Sequence, residues 1–425
     1  MTNKIDFLTR VSGLANLEII AEDNLLKEVR FSVRETPRLI EKLLLGRSYK
    51  VIPEITARIC GICPVAYQLT ALQAIEDAFG IKPTKEDLSL RKLIYLAEWI
   101  YSHTLHLFFV HLPDYYKVNS FLELFQIERE LLEKAFFLRE TACRIIEKLG
   151  GRAIHPLSLI PGGFSSYPDS LSPLIDPLRN SLKIAEELFT KLCSMTFPEF
   201  SLSEVQFVSL LDEDDYPILD GIIYDGKRKI DKRSFRDYFL EVERPYSTAN
   251  HSLTKEGKPY VVGPMARFEH AFEKLSPRAK ELATKHGIIP PVDNPFLSPL
   301  IRMLEIVHSV ELALEIAKGY IKPKKVPQEL KPSEGEGIGI TEAPRGILWH
   351  HYKFDSQGLI THVNIVTPTS QNLASIELAL FKSLSKEKGL EEASIRNRAE
   401  TMIRNFDPCL PCATHFLEIS IKKLD

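Results

Sequence analysis

Two cysteine pairs near opposite ends of a 425-residue chain limit this fold more than any other feature: Cys60-Gly61-Ile62-Cys63 and Cys409-Leu410-Pro411-Cys412. Each Cys-x-x-Cys can turn two thiolates toward one centre. A fold that joins the pairs therefore builds a four-sulfur cage that closes nearly the whole polypeptide. Soft sulfur donors suit zinc, iron–sulfur clusters, copper(I), or nickel and iron. Four of the six cysteines stand in these pairs, which in so long a chain argues for metal or redox chemistry rather than a secreted disulfide framework. Cys143 and Cys193 fall in apolar helical patterns and read as buried packing.

A structural tetrathiolate zinc site uses the same ligands. Zinc clips commonly staple small modules poor in core, however, and 44% hydrophobic content over 425 residues leaves this chain with ample core. A dithiol redox centre expects a thioredoxin-like βαβ setting, which surrounds neither pair. A net charge of −3 gives no reason to expect nucleic acid or an anionic membrane. No stretch reaches the roughly 18 apolar residues of a membrane span. Met1 to Asp6 has no basic-then-apolar signal pattern, so the expected location is the cytoplasm.

Alternating residues over 5–35, with Asp23-Asn24 as the turn, predict a β-hairpin, and Arg38 to Leu45 predicts a short helix closed by Gly46. Pro64 opens a helix through Phe79, which places the first thiols at a positive helix end that favours thiolate. The longest helical patterns are 84–112 and 118–149, with others at 170–195, 275–287, 296–320, 371–385 and 389–405. Residues 200–268 are strand-like and turn-rich, and a hairpin pattern surrounds Asp355-Ser356-Gln357-Gly358. Because the cysteine pairs must meet, the expected fold is one α+β, mainly α unit over 1–425, a long-helix bundle with small peripheral antiparallel sheets.

Arg58-Ile59-Cys60-Gly61-Ile62-Cys63-Pro64 and Asp407-Pro408-Cys409-Leu410-Pro411-Cys412-Ala413-Thr414-His415 together resemble the metal-binding motifs of nickel–iron hydrogenase large subunits. The likeness covers nearly the whole chain. It includes Pro37 to Arg47, Ser102-His103-Thr104-Leu105-His106 with Leu112-Pro113-Asp114, Gly150 to Pro156, Glu342-Ala343-Pro344-Arg345-Gly346 and Pro368-Thr369-Ser370-Gln371-Asn372. The chain looks closest to the cytoplasmic branch of sulfhydrogenases and other soluble multisubunit hydrogenases. The resemblance implies that all four thiolates bind nickel, with Cys60 and Cys409 terminal and Cys63 and Cys412 bridging to an iron that carries carbonyl and cyanide ligands. Pro344, Arg345, Pro368 and Thr369 would surround those diatomics, with Arg345 and Thr369 donating hydrogen bonds to cyanide. Hydrogen would split heterolytically between the metals and a base, either the Cys409 thiolate or the Arg345 guanidinium. Asp114 and Asp407 would pair with Arg345, although Asp114 also suits a helix cap. Glu41 and His415 match the positions of a structural magnesium. His103 and His106, three apart on one helical face, read as hydrogen-bonded packing.

Two departures stand out. The family usually places Arg-x-Glu-Gly near its N-terminus, and its glutamate exchanges protons with the terminal cysteine. Here the stretch is Arg10-Val11-Ser12-Gly13-Leu14, and a hydroxyl can relay a proton but cannot hold one as a carboxylic acid does. Either another acid such as Glu18 or Glu54 serves, or proton exit is altered. The second departure is the segment 416–425 after His415, which by the resemblance is cut away on maturation. The chain has no dinucleotide fingerprint and no cysteines left for a cluster relay, so electrons must leave through a partner. By resemblance that partner is a small iron–sulfur subunit, with a flavin- or NAD(P)-bearing subunit beyond it. The alternative function is a non-catalytic scaffold or hydrogen sensor on the same fold.

Overall fold

Five long helices form the frame: α1 (Pro64–Phe79), α2 (Lys85–Thr104), α3 (Arg129–Gly150), α4 (Ser172–Cys193) and α5 (Ser298–Lys318). The computed structural model describes the chain except residues 1, 6–7, 23–24, 325–326, 328–329, 386–391 and 415–425. Helix α5 packs against both α2 and α4, and α2 packs against α3. The apolar stripes of these helices meet in the main core, where Trp99, Ile100, Leu138, Leu178, Met303 and Val307 are fully buried. Local signals set the helix ends. Thr84 accepts the Asp87 N–H to start α2, Pro64 occupies the first turn of α1, and Gly80 closes α1 in the left-handed conformation, with φ 67°.

A first sheet is an antiparallel meander of β1 (Thr2–Ile5), β2 (Ala15–Glu22) and β3 (Leu25–Val33); the expected turn at Asp23-Asn24 lies outside the described residues. It shares a second core with α6 (Pro368–Ser385) and α7 (Glu392–Asn405). A further antiparallel sheet, β4 (Gly335–Ala343), β5 (Gly346–Phe354) and β6 (Ile360–Val366), lies deeper in the molecule. The described strands also include one short parallel pair, Gln206–Phe207 beside Tyr260–Val261.

The second sheet positions the site through its glycines. Gly335, Gly337 and Gly339 lie on one face of β4, directly against α1. A Cβ on Gly337 would sit 2.0 Å from the Ala74 carbonyl oxygen, and one on Gly339 would sit 2.0 Å from that of Thr70. Backbone therefore meets backbone, and the helix that begins just after Cys63 is locked against the strand that runs into Ala343, Pro344 and Arg345.

Four sequence expectations need correction. The 118–149 pattern breaks at Glu128, which has φ −126° and ψ 51°. Tyr116 and Lys191 hold its carboxylate, so tertiary partners override helical propensity and leave a separate short helix, Phe121–Ile127. The 84–112 pattern is α-helical only to Thr104, then passes through a π-helical stretch, Leu105–His111, into Leu112–Tyr115. The first short helix covers only Ile40–Leu44, because Leu39 is left-handed at φ 51°. Cys143 and Cys193 are half-buried rather than buried, since each lies at the edge of its helix's apolar stripe.

Candidate metal centre

The two cysteine loops meet in the interior. All four cysteines are at most 4% exposed. The Cys60 and Cys409 sulfurs lie 3.8 Å apart, and those of Cys60 and Cys63 lie 2.8 Å apart. The sulfurs of Cys60, Cys63 and Cys412 all fall within 4.8 Å of one another. Cys409 and Cys412 are in disulfide contact, so ligation by both requires that contact to be reduced. A tetrahedral ion with metal–sulfur bonds of about 2.3 Å holds its sulfurs roughly 3.8 Å apart. Cys60 and Cys409 already have that spacing, while Cys60 and Cys63 must open by roughly 1 Å. The donor set thus fits a thiophilic metal centre once Cys409 and Cys412 are reduced and both pairs spread apart.

One arginine side chain and two backbone contacts bring the ends of the chain together. Arg38 donates to the carbonyls of Arg58 at 2.9 Å, Ile59 at 2.6 Å and Pro411 at 2.6 Å, tying one cysteine loop to the other. The Arg38 N–H also donates to the Thr414 carbonyl at 2.9 Å. Ser12 forms a parallel bridge with Cys409, and its carbonyl accepts the Leu410 N–H at 2.9 Å. Gly13, with φ 105°, permits this approach, because a Cβ there would lie 2.7 Å from the Pro411 ring.

Charge at the centre is set by Arg345. Its Nη1 lies 3.7 Å from the Cys63 sulfur, its Nε donates to the Asp407 carbonyl at 2.8 Å, and its Nη2 pairs with the Asp407 carboxylate at 3.1 Å. Burial works against the Arg345 charge, but Asp407 and the thiols outweigh it and raise its pKa. Burial alone would raise the Cys60 thiol too. The Cys63 hydrogen bond, the Arg345 charge and the backbone N–H groups of Cys63 and Ile62 bring it down to about 6. Cys63 moves the opposite way, because it donates to Cys60 and is itself buried. The pair therefore holds one thiolate readily and a second only with added positive charge, as a metal ion supplies.

Beneath Arg345 lies a fully buried ion network. Arg267 pairs with Glu305 through two contacts of 2.8 Å and with Glu342 at 2.9 Å, and it donates to the carbonyls of Ala343 and Pro344 at 2.9 and 3.0 Å. His103 Nε2 lies 2.8 Å from Glu305. The segment carrying Arg345 is thus held by hydrogen bonds from below, which presets where the guanidinium reaches.

Thr369 Oγ1 accepts the Cys409 N–H at 3.0 Å, and Pro368 begins α6. Glu41 is buried and accepts the Ile365 N–H at 2.7 Å, whereas His415 and the segment 416–425 lie outside the described residues. Asp114 does not pair with Arg345 as expected. It binds Arg404 at 2.8 and 2.9 Å and Arg10 at shorter range, because the π-helical stretch carries it past the site toward the N-terminal segment. Glu18 and Glu54 pair with surface arginines, Glu18 with Arg30 and Arg34 and Glu54 with Arg58. Glu98 escaped the sequence reading. It accepts the N–H groups of Val65 at 2.5 Å and Ala66 at 2.8 Å, so a fully buried carboxyl group, pushed toward its protonated form by burial, caps the helix that follows Cys63. A lone glutamate in the middle of an apolar helical pattern was the only signal for it.

These features define a soft-metal site of four sulfurs overlaid by a buried arginine–aspartate pair, and the chain belongs to the nickel-dependent hydrogenase family, which it matches over residues 38–135 and 301–415. It is 34% identical to the alpha chain of sulfhydrogenase 1 from Pyrococcus furiosus, covering 98% of each chain. It is 30% identical to the alpha chain of sulfhydrogenase 2 from the same organism, over 99% of this chain and 100% of that one. Among solved structures, an NAD+-reducing [NiFe]-hydrogenase in its H2-reduced state superposes with a TM-score of 0.84 at 26% identity, covering 98% of this chain and 99% of that one. The Ni-Fe-Se hydrogenase of Desulfovibrio vulgaris Hildenborough, at 22% identity and a TM-score of 0.77 over 98% of this chain and 100% of that one, shares the fold.

Proposed function

We propose that this chain is the catalytic subunit of a nickel–iron hydrogenase, interconverting hydrogen with protons and electrons. The observation that carries this reading is the convergence of Cys60, Cys63, Cys409 and Cys412 beside a protonated, buried Arg345. The four sulfurs would hold nickel, and Cys63 and Cys412 would share an iron bearing carbonyl and cyanide ligands. Such a centre, when bound, supplies the electrophile that polarises hydrogen for uneven cleavage.

The protein groups divide the remaining work. Asp407 keeps Arg345 charged, so the guanidinium orients and donates rather than acting as a base. The proton would then go to sulfur, by the family resemblance to Cys409 Sγ once its contact with Cys412 is reduced. Thr369 spends its oxygen lone pair on the Cys409 N–H and keeps its own O–H as a donor toward a cyanide. Burial excludes bulk water and strengthens each of these interactions. Pro344 and Pro368 stiffen the segments that carry the two donors. Glu41 with His415 would hold a structural magnesium.

Electrons leave through a partner, read here as a small iron–sulfur subunit with a flavin- or NAD(P)-bearing subunit beyond it. The relatives in Pyrococcus, each an alpha chain, support a multisubunit assembly. No described helix is long and apolar enough to cross a membrane; the location proposed for the complex is the cytoplasm. The test is an infrared spectrum of the purified protein together with metal analysis. Carbonyl and cyanide stretching bands, with nickel and iron in equal amounts, are expected. Zinc alone, with no such bands, overturns the reading.

A further inference from the structure

One line of buried polar groups has no task in this chemistry. The π-helical stretch Leu105–His111 changes which side chains share a face. In an α-helix two residues five apart point roughly 140° from each other. Here the wider turn brings His106 and His111 round together, with ring centres 5.3 Å apart. Both side chains are buried; neither nitrogen of His106 has a hydrogen-bond partner of good geometry among the described residues, and His111 has the Asn405 side chain within reach. Unpartnered buried nitrogens in a π-helical turn are an uncommon arrangement that favours a working role.

The pair begins at the metal centre. His106 Nε2 lies 3.8 Å from Asp407 Oδ1, and Asp407 Oδ2 likewise has no partner among the described residues. Beside them is a cavity of about 30 Å3, lined by Ser12, His106, Arg345, Arg404 and Asp407 among others. That space admits one or two waters, and its walls offer the polar partners a water needs. At the far end His111 lies in the field of Arg302, Arg404 and Arg10 and beside the Asn405 side chain. Arg10 and Arg404 converge on Asp114, and Arg404 continues through Glu400 to the partly exposed Arg396.

We propose that protons released at the metal centre leave through water held in this cavity and the adjacent His106–His111 pair toward the Asp114 cluster, in place of the carboxylic relay that Ser12 cannot provide. The inference rests on the hydrogenase reading. Each hop moves a proton alone: the water gives one to the acceptor nitrogen of His106, and the opposite nitrogen releases its own toward His111. No electron moves and no bond between heavy atoms changes. A neutral imidazole suits this because one nitrogen accepts while the other donates. Burial, reinforced by Arg302, holds both rings neutral, so a proton passes through without being trapped.

The test uses the assembled hydrogenase complex and the variants His111→Phe, Ser12→Glu and the double variant. His111→Phe keeps the ring volume and removes both nitrogens. Its carbonyl and cyanide bands should match the wild type, while hydrogen/deuterium exchange and dye-linked hydrogen oxidation fall by at least about tenfold. Ser12→Glu in that background should recover most of the loss. A crystal structure of the wild-type complex should show an ordered water bonded to His106 in the cavity. If His111→Phe does not assemble, His111→Gln carries the same expectation, since an amide cannot pass a proton through itself. Exchange within twofold of wild type with intact bands, a loss that Ser12→Glu does not reverse, or a dry cavity would each overturn the proposal. Missing bands in the wild type would instead bring down the hydrogenase reading on which it rests.

Discussion

The carbonyl of Ser12 accepts the N–H of Leu410 at 2.9 Å, which fixes residue 12 alongside Cys409 although the two lie at opposite ends of the chain. The backbone geometry therefore brings an N-terminal side chain to the second cysteine loop, and that side chain is a hydroxyl. Arg10 and Gly13 on either side of it have structural tasks: Arg10 binds Asp114, and Gly13 makes room for Pro411. This separation of position from chemistry is why Ser12→Glu is an informative substitution: it changes the acid chemistry at residue 12 and leaves the backbone bridge to Cys409 in place.

Arg38 ties the two cysteine loops together, so its removal should act on assembly before it acts on catalysis. Arg38→Met keeps the aliphatic stem and abolishes donation to the carbonyls of Arg58, Ile59 and Pro411. The expected destabilisation is about 2 kcal/mol, discounted for partial exposure. Nickel content should fall together with the midpoint of chemical denaturation. Full nickel occupancy in a variant of unchanged stability would show that the loops meet without this clip.

Glu98 caps α1 from within the core, and Glu98→Ala leaves the Val65 and Ala66 N–H groups without acceptors. Two unpaired buried donors cost on the order of 2–4 kcal/mol. Because those donors begin two residues after Cys63, the expected result is a lower melting temperature together with poorer metal incorporation. Glu98→Gln keeps one acceptor oxygen and should fall between the two. Melting curves and metal analysis of both variants decide the order.

The glycine face of β4 makes a prediction that is purely steric. Gly339→Ala sets a methyl group 2.0 Å from the Thr70 carbonyl oxygen, a distance no relaxation of side chains can relieve. Helix α1 must then lift off the strand, at a cost of about 3 kcal/mol. Gly319→Ala, where the nearest atom is 3.5 Å away, should be tolerated. Equal melting temperatures for the two variants would contradict this packing argument.

Acid should weaken the fold, in part through His270. Burial lowers this imidazole to about 4, while its Nδ1 lies 2.9 Å from the Ser209 hydroxyl. In the unfolded chain it titrates near ~6.5. Between those values the unfolded state binds a proton that the folded state refuses. The His270 contribution is therefore complete above about pH 6.5 and is lost as pH falls toward 4. His103 is also held down to about 4 and adds a slope of the same sign. His270→Asn should flatten, without abolishing, the decline of melting temperature between pH 7 and 4.5. An unchanged slope would assign the acid sensitivity elsewhere.

Much of the fold was legible in the residues because it rests on local signals. Pro64, Gly80 and the apolar repeat mark α1 to within a residue, and Asp355 to Gly358 marks the turn between β5 and β6. The break at Glu128 was hidden, because the cause is a pair of distant partners, Tyr116 and Lys191, rather than a local breaker. The π-helical turn was hidden for a related reason: an inserted residue in a continuous apolar pattern leaves no compositional mark, yet it decides that His106 meets His111 and that Asp114 meets Arg404.

Residue type and spacing marked two cysteine pairs as soft donors for one centre, and the likeness of their surroundings to the hydrogenase motifs named Arg345, Thr369 and Asp407 beside it, since soft-donor chemistry is written in the order of the amino acids. Which charges face one another was settled by packing instead. Asp407 rather than Asp114 holds Arg345, and Glu98 rather than a surface acid caps the helix at the site. The physical reason is that a carboxylate's partner is chosen by the packing of helices and strands far apart in the chain, whose close approach depends on features as small as a hydrogen in place of a methyl group on β4.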